Sequence, residues 1–241
     1  MTADGWTRAV RDRLGAGRLL PLGGPRDGAW ITEDAARTAL RRTAGGVPGV
    51  RLGALRIAAA GPEGAYEPVV PAPPSALPPG PLRVSAECAA SGSEPLPTAA
   101  ARLRAALAAA AAERLGLVVA EVDLRVTELF DAGRPPVLPE PDRPTRTAAA
   151  TAEGDESRAG GAALAVPGVT GLTEVLGRAV RIDDRPDVTA TAAALPRRHV
   201  RVEVAVGADR RALDVARDVR AAVTAVLPDR PSVAVLVTGA G

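Results

Sequence analysis

The sequence predicts an α+β fold built from two copies of one small unit. Near its end, valines at every other position from 200 to 206 indicate a strand with one buried face, and those from 233 to 237 indicate another. Between them, apolar residues at helical spacing from 212 to 227 predict an amphipathic helix. Strand, helix and strand in succession form a compact β-α-β unit.

The same pattern occurs earlier, from Leu82 to Thr127. A Val-Pro-Gly-Val turn precedes each copy, at residues 47–50 and 166–169, and each turn joins a predicted helix to a predicted strand. Each unit is therefore predicted to be αββαβ, with a three-stranded sheet and its helices on one face. The other sheet face and the edge strands are expected to remain free for association.

Composition shifts predict the bounds of the units. Residues 26–130 form the first unit, and its proline-rich stretch 60–81 is predicted to be a long mobile loop between neighbouring strands. Residues 131–153, also rich in proline, are predicted to be a linker. Residues 154–241 form the second unit, in which the loop 183–198 corresponds to the loop 60–81.

Residues 1–25 precede the first unit and are predicted to contain a short amphipathic helix. Trp6, Val10 and Leu14 form its apolar stripe, and arginines occupy its other side. This stripe suits docking to a partner or to a membrane surface. Packing on the first unit is the interpretation we favour, because the helix is short.

The remaining elements follow from local signals. Residues 19–25 are predicted to be a loop. Thr32 is suited to cap a helix that runs through Arg42. The corresponding helix of the second unit is predicted from Glu156 to Ala165, although two central glycines disfavour it.

Composition also limits the function. The chain has 30 basic and 28 acidic residues, and it contains no Lys, Asn or Gln. Arginines alternate with acids along the helices, whereas a nucleic-acid-binding surface concentrates positive charge on one face. Cys88, the single cysteine, excludes a disulfide within the chain, and its position predicts a small core residue. We see no signal peptide and no apolar run that could span a membrane, so a cytoplasmic protein is expected.

Few residues could carry catalysis or bind a metal. His199 is the single histidine and no Gly-x-Ser-x-Gly sequence accompanies it, so an exposed histidine at a strand end is favoured. Asp183, Asp184 and Asp187 lie in the predicted loop without the spacing of a calcium site, which favours a solvated loop. We predict no catalytic residue, metal, cofactor or small-molecule substrate. An enzyme that uses His199 and these aspartates is one alternative.

A second alternative is a nucleic-acid-binding module with arginine-rich surfaces. The sequence Gly46-Val47-Pro48-Gly49 matches GxxG, which in KH domains clamps an RNA backbone between two helices. Here a strand is predicted to follow instead of a helix. The second copy lacks the first glycine of the motif, so nucleic acid is the less favoured partner.

Charged side chains alternate on the predicted outward faces of strands in both units. Such rows form either a contact surface for a partner or cross-strand ion pairs on a solvated sheet. Our candidate interaction surface consists of Arg83, Glu87, Glu121, Asp123, Arg201 and Glu203.

Four stretches of the second unit together are similar to a known family. They are Ala162–Val169, Leu176–Ile182, His199–Val206 and Ala212–Leu227. The helix that ends in Val-Pro-Gly-Val, the Val-x-Val-x-Val strand and the valine-rich last strand resemble the alkaline-shock (general stress) protein family. Residues 156–241 carry the resemblance and residues 30–128 share it more loosely, which suggests a tandem pair.

The resemblance implies a non-enzymatic cytosolic protein of the cell-envelope stress response. It implies self-association, and docking to a small membrane-anchored protein that holds the chain beneath the membrane. It implies no catalytic residues. We therefore expect a protein partner, a homo-oligomer, and a cytoplasmic location that is peripheral at the inner face of the membrane.

Overall fold

The structure is a computed structural model that describes residues 17–61, 64–131, 154–185 and 197–241. The predicted apolar stripe of Trp6, Val10 and Leu14 lies outside these residues, as does the predicted linker after Asp131.

The described residues form four α-helices and nine β-strands, which confirms the α+β class. The helices are α1 (Glu33–Gly45), α2 (Leu96–Ala109), α3 (Asp155–Leu164) and α4 (Ala212–Val226), and α2 continues as a π-helical turn, Ala110–Leu115. The strands are β1 (Leu19–Leu22), β2 (Ala29–Thr32), β3 (Val50–Ala59), β4 (Leu82–Ser91), β5 (Val119–Phe130), β6 (Val169–Leu172), β7 (Val180–Arg185), β8 (Arg197–Val206) and β9 (Ser232–Ala240).

The two predicted units share one strand topology. In the first, β3 is antiparallel to β4, and α2 carries the chain to β5, which is parallel to β4. In the second, β6 and β7 are antiparallel to β8, and α4 carries the chain to β9, which is parallel to β8. The cross-strand partners therefore correspond between the units. In the first unit Ile57, Val84 and Val122 lie side by side, and in the second unit Ile182, Val200 and Val233 do.

Both predicted Val-Pro-Gly-Val turns are present, and each needs its glycine for the backbone conformation of the turn. Gly49 has a φ of 71° and Gly168 a φ of 97°, a left-handed conformation that side chains disfavour. Space is also restricted, because a Cβ at Gly168 would lie 2.8 Å from Val215 Cγ2. The first valine of each turn, Val47 or Val166, is buried.

The first strand of the second unit is interrupted. In the first unit β3 pairs with β4 through a small irregularity between Leu52 and Leu55. At the equivalent point of the second unit the chain leaves the sheet after Leu172 and returns at Val180. We call residues 173–179 the excursion. The insertion at this point divides one predicted strand into β6 and β7.

The larger sheet includes two strands before α1, β1 and β2, which the sequence pattern does not predict. β1 and β2 form an antiparallel pair, and β2 runs parallel to β9, so this sheet has six strands. Every residue of β1 and β2 is buried. The predicted loop at 19–25 is therefore wrong for Leu19–Leu22, which forms β1.

One apolar core connects both sheets. The inward faces of the strands and the apolar faces of the four helices form a single cluster of buried residues. Helix α1 packs against β3 of the smaller sheet and β9 of the larger one, and Thr32 caps it as predicted by accepting a hydrogen bond from Ala35 N–H. Cys88 lies in this core, as predicted, and burial raises the pKa of its thiol.

Candidate interaction surface

The outer face of the three-stranded sheet is exposed and charged. Val84 and Ala86 of β4 point into the core, whereas Glu87 is exposed and the Arg83 side chain is 43% exposed. Because side chains alternate along a strand, the charged residues of all three strands share the outer face. We give the name charged face to its part before the register shift between Cys88 and Ala89, which consists of Arg56, Arg83, Glu87, Glu121, Asp123 and Arg125.

Strand register places opposite charges side by side on the charged face. Arg83 is in register with Glu121, and its Nε donates a hydrogen bond of 2.6 Å to Glu121 Oε2. The same nitrogen lies 3.6 Å from Asp123 Oδ2. The hydrogen bond and charge of Glu121 raise the pKa of Arg83. Exposed ion pairs stabilise a fold little, so these groups can exchange partners with a bound protein at low cost.

β5 is an edge strand of this sheet. Most of its residues are exposed, including the apolar side chains of Val126 and Leu129, which are 36% and 61% exposed. Arg104 of α2 donates a hydrogen bond of 3.0 Å to the carbonyl of Val122. A long edge strand with apolar side chains is suited to pairing with another chain, because it presents backbone groups as well as an apolar surface.

The outer face of the larger sheet is covered. Trp30, Ala234 and Leu236 on this face form a second buried cluster with Leu19 and Val70. Val70 belongs to the proline-rich stretch after β3, and that stretch is fastened by a hydrogen bond from Leu77 N–H to the carbonyl of Leu19. The described residues of the stretch lack regular structure, as predicted, but the stretch packs on the larger sheet through Val70. The expectation of an open outer face is wrong for this sheet.

Glu203 lies on the covered face and is completely buried. Its Oε2 accepts a hydrogen bond of 2.9 Å from Leu176 N–H, and its backbone bonds to Thr173 and Ala179. Glu203 thus forms hydrogen bonds with three residues of the excursion. Its assignment to an exposed interaction surface is wrong, and Arg201, which is half-buried on the same face, does not join the charged face either.

The structure also corrects the positions of His199 and the acidic residues. His199 is 4% exposed, and its Nδ1 lies 2.8 Å from Ser232 Oγ, so it is a buried link between β8 and β9. Asp183 and Asp184 lie in β7 and not in a loop, and Asp183 pairs with Arg181, whereas Asp187 is outside the described residues. In the part of the chain that the structure describes, no three His, Cys, Asp or Glu side chains are grouped to hold a metal.

The GxxG sequence is a structural turn between α1 and β3. Arg102 of α2 donates a hydrogen bond of 2.7 Å to the carbonyl of Pro48 and also pairs with Glu94. A strand follows the turn, as the sequence predicted, so the two-helix arrangement that holds RNA in KH domains is not formed here.

Arginines also line a shallow groove of about 350 Å³ on the outer side of α4. The groove includes Arg217, Arg220 and Arg230. Arg217 is paired with Asp27 at 2.8 Å and with Asp214 at 3.4 Å, and Arg220 donates hydrogen bonds to the carbonyls of residues 26 and 27. Two of the three arginines of the groove, Arg217 and Arg220, are therefore already bonded to groups of the same chain.

Four of the six predicted surface residues, namely Arg83, Glu87, Glu121 and Asp123, lie together on the charged face. Arg56 was missed, because its place on this face depends on the pairing of β3 with β4. The available signal was the position of Arg56 between the apolar residues Leu55 and Ile57 of β3.

Comparison of the chain with protein-family models, with curated proteins and with solved structures finds no match. The described residues form an α+β fold in which two units share one strand topology and the charged face is exposed. Within the described ranges, no helix is long and apolar enough to cross a membrane.

Proposed function

We propose that this protein is a non-enzymatic cytosolic scaffold of the cell-envelope stress response type. It self-associates and docks to a small membrane-anchored protein, and the charged face is its docking surface. The resemblance of residues 156–241 to the alkaline-shock family motivates the cellular role.

One observation carries the proposal of a binding surface. The outer face of the larger sheet is closed by the chain's own loops, whereas the equivalent face of the smaller sheet presents charged side chains to solvent. Its six charged residues carry three positive and three negative charges, so it favours a partner with a matching pattern over a simple polyanion.

Co-purification from the protein's own cells tests the proposal. Tagged full-length chain is recovered from a gentle detergent extract, and the bound proteins are identified. We expect a small integral membrane protein with the wild type and its loss with Glu87→Arg, which reverses one charge on the middle strand of the charged face. Glu113→Arg makes the same change at an exposed glutamate off the sheet, so it should retain the partner.

Two results would contradict the proposal. A membrane protein recovered equally with both variants would place docking elsewhere. Recovery of nuclease-sensitive material instead would favour the nucleic-acid alternative, for which the arginine groove on α4 is the candidate surface.

A further inference from the structure

The segment Val122–Val126 of β5 is complementary to itself. In either direction it runs apolar, charged, apolar, charged, apolar, with Asp123 and Arg125 placed symmetrically about Leu124. The two register shifts between β4 and β5 lie before and after this segment. Its side chains therefore alternate without interruption between the core side and the outer side of the sheet.

We propose that two copies of this chain pair antiparallel through β5, about a two-fold axis at Leu124. This inference rests on the proposed function, of which it specifies the self-association. Asp123 of each copy then lies opposite Arg125 of the other, and Val122 lies opposite Val126. Opposite charges directly across an antiparallel pair stabilise it, and like charges destabilise it. The two small sheets become one six-stranded sheet, and the two-fold symmetry closes the assembly.

Neighbouring registers are disfavoured by the same side chains. An axis at Asp123 or at Arg125 places two like charges face to face. An axis between two residues places Asp123 and Arg125 opposite apolar side chains. In that register, the core side of one copy would continue into the outer side of the other. The register centred on Leu124 avoids both faults.

The edge of β5 is accessible to a second copy. The Asp123 side chain is 64% exposed, and Val126 is also partly open to solvent. The hydrogen bond from Arg104 to the carbonyl of Val122 lies at an exposed site. Its exchange for a bond from the second copy changes the free energy little, because one hydrogen bond replaces another. The dimer also covers apolar atoms of β5 that are exposed among the described residues.

Sedimentation of the full chain over a range of concentrations tests the pairing. We expect a monomer–dimer equilibrium for the wild type. Asp123→Arg and Arg125→Asp each place like charges opposite one another at two symmetric positions, so each should raise the dimer Kd at least about tenfold. The double variant restores unlike pairs and should dimerise as the wild type does.

Mixing the two single variants gives the sharper result. Each is expected to be mostly monomeric alone, but their mixture opposes unlike charges at both positions and should form a heterodimer with nearly wild-type affinity. Heterodimer formation also demonstrates that both variants are folded. Glu113→Arg, a charge reversal away from the sheet, is the control and should leave the Kd unchanged.

A wild-type chain that remains monomeric at its highest soluble concentration would overturn the inference. A dimer that neither single variant weakens, or a mixture that does not associate, would also overturn it. The Glu87→Arg co-purification tests docking separately. If the chain does not dimerise but Glu87→Arg still abolishes docking, only this pairing is rejected. If the chain dimerises but docking does not depend on Glu87, the proposed docking surface is rejected.

Discussion

Glu87 and Glu203 occupy equivalent positions in the two units, yet Glu87 is exposed and Glu203 is completely buried. Each follows an equivalent core residue of the middle strand, and each is in register with a residue of the last strand. That residue is Arg125 in the first unit and Leu236 in the second. The repeated topology therefore does not determine what covers the outer face.

The difference arises from segments that the two units do not share. Among the described residues, a small irregularity in β3 lies at the position next to Glu87, whereas the excursion at 173–179 lies next to Glu203 and forms hydrogen bonds to it. The proline-rich stretch 64–81 belongs to the first unit in sequence, but its Val70 packs on the sheet of the second. Loops thus bury the outer face of one sheet, whereas the charged face of the other sheet is exposed.

The largest expected effect contrasts Leu236 with Arg125. Leu236→Ala should lower the free energy of unfolding by about 2–5 kcal/mol, because it leaves a cavity in the second buried cluster. Arg125→Ala at the equivalent, exposed position should change it by no more than about 0.5 kcal/mol. Chemical denaturation of both variants measures the difference. Similar losses for the two variants would mean that both outer faces are equally covered in solution.

A smaller effect is expected for the two glutamates. Glu203→Ala removes the hydrogen bond from Leu176 N–H to a buried carboxylate and should cost about 2 kcal/mol. Glu87→Ala should be nearly neutral, because its side chain is exposed. Hydrogen exchange should show faster exchange at Leu176 in the Glu203 variant. Unchanged exchange there would contradict the role of Glu203 in fastening the excursion.

The repeated part of the fold could be predicted from the sequence, because its signals are local. Alternating valines define β8 and β9, and Val-Pro-Gly-Val requires a glycine in a left-handed turn. β1 could not be predicted in this way. Leu19–Leu22 is too short to show alternation, and β2, with which it pairs, joins β9 some two hundred residues later in the chain.

The candidate surface was predicted only in part, for a related reason. Alternation shows that Glu121 and Glu203 point away from the core of their own sheets, but it cannot show whether another segment covers them. Proline content indicates that residues 60–81 lack regular structure, and it does not indicate where they pack. Burial of Trp30 and Leu236 beneath Val70 therefore required the three-dimensional structure.

The smallest effect concerns Asp27, which fastens the β1–β2 turn, a feature of the larger sheet alone. Burial of Asp27 would raise the pKa of its carboxyl, but hydrogen bonds from Arg217 and from Gly24 N–H outweigh burial and lower it below 3.8. A lowered folded-state pKa gives stability that is complete above the unfolded pKa and is lost as the pH falls through the folded value. Asp27→Asn should therefore cost about 1 kcal/mol at pH 7 and progressively less below about pH 4.

Urea unfolding of wild type and Asp27→Asn between neutral and acid pH measures whether the difference in their free energies of unfolding decreases as the pH falls. Asp214→Asn is the matched control, because Asp214 reaches the same arginine at 3.4 Å from a position that is 48% exposed. Its variant should remain close to the wild type at every pH, since exposed pairs contribute little. A constant difference between Asp27→Asn and wild type down to the lowest pH would mean that the charge of Asp27 is not what holds the turn. The turn would then be held by the buried strands β1 and β2 alone, and the covered face of the larger sheet would depend on apolar packing without electrostatic support.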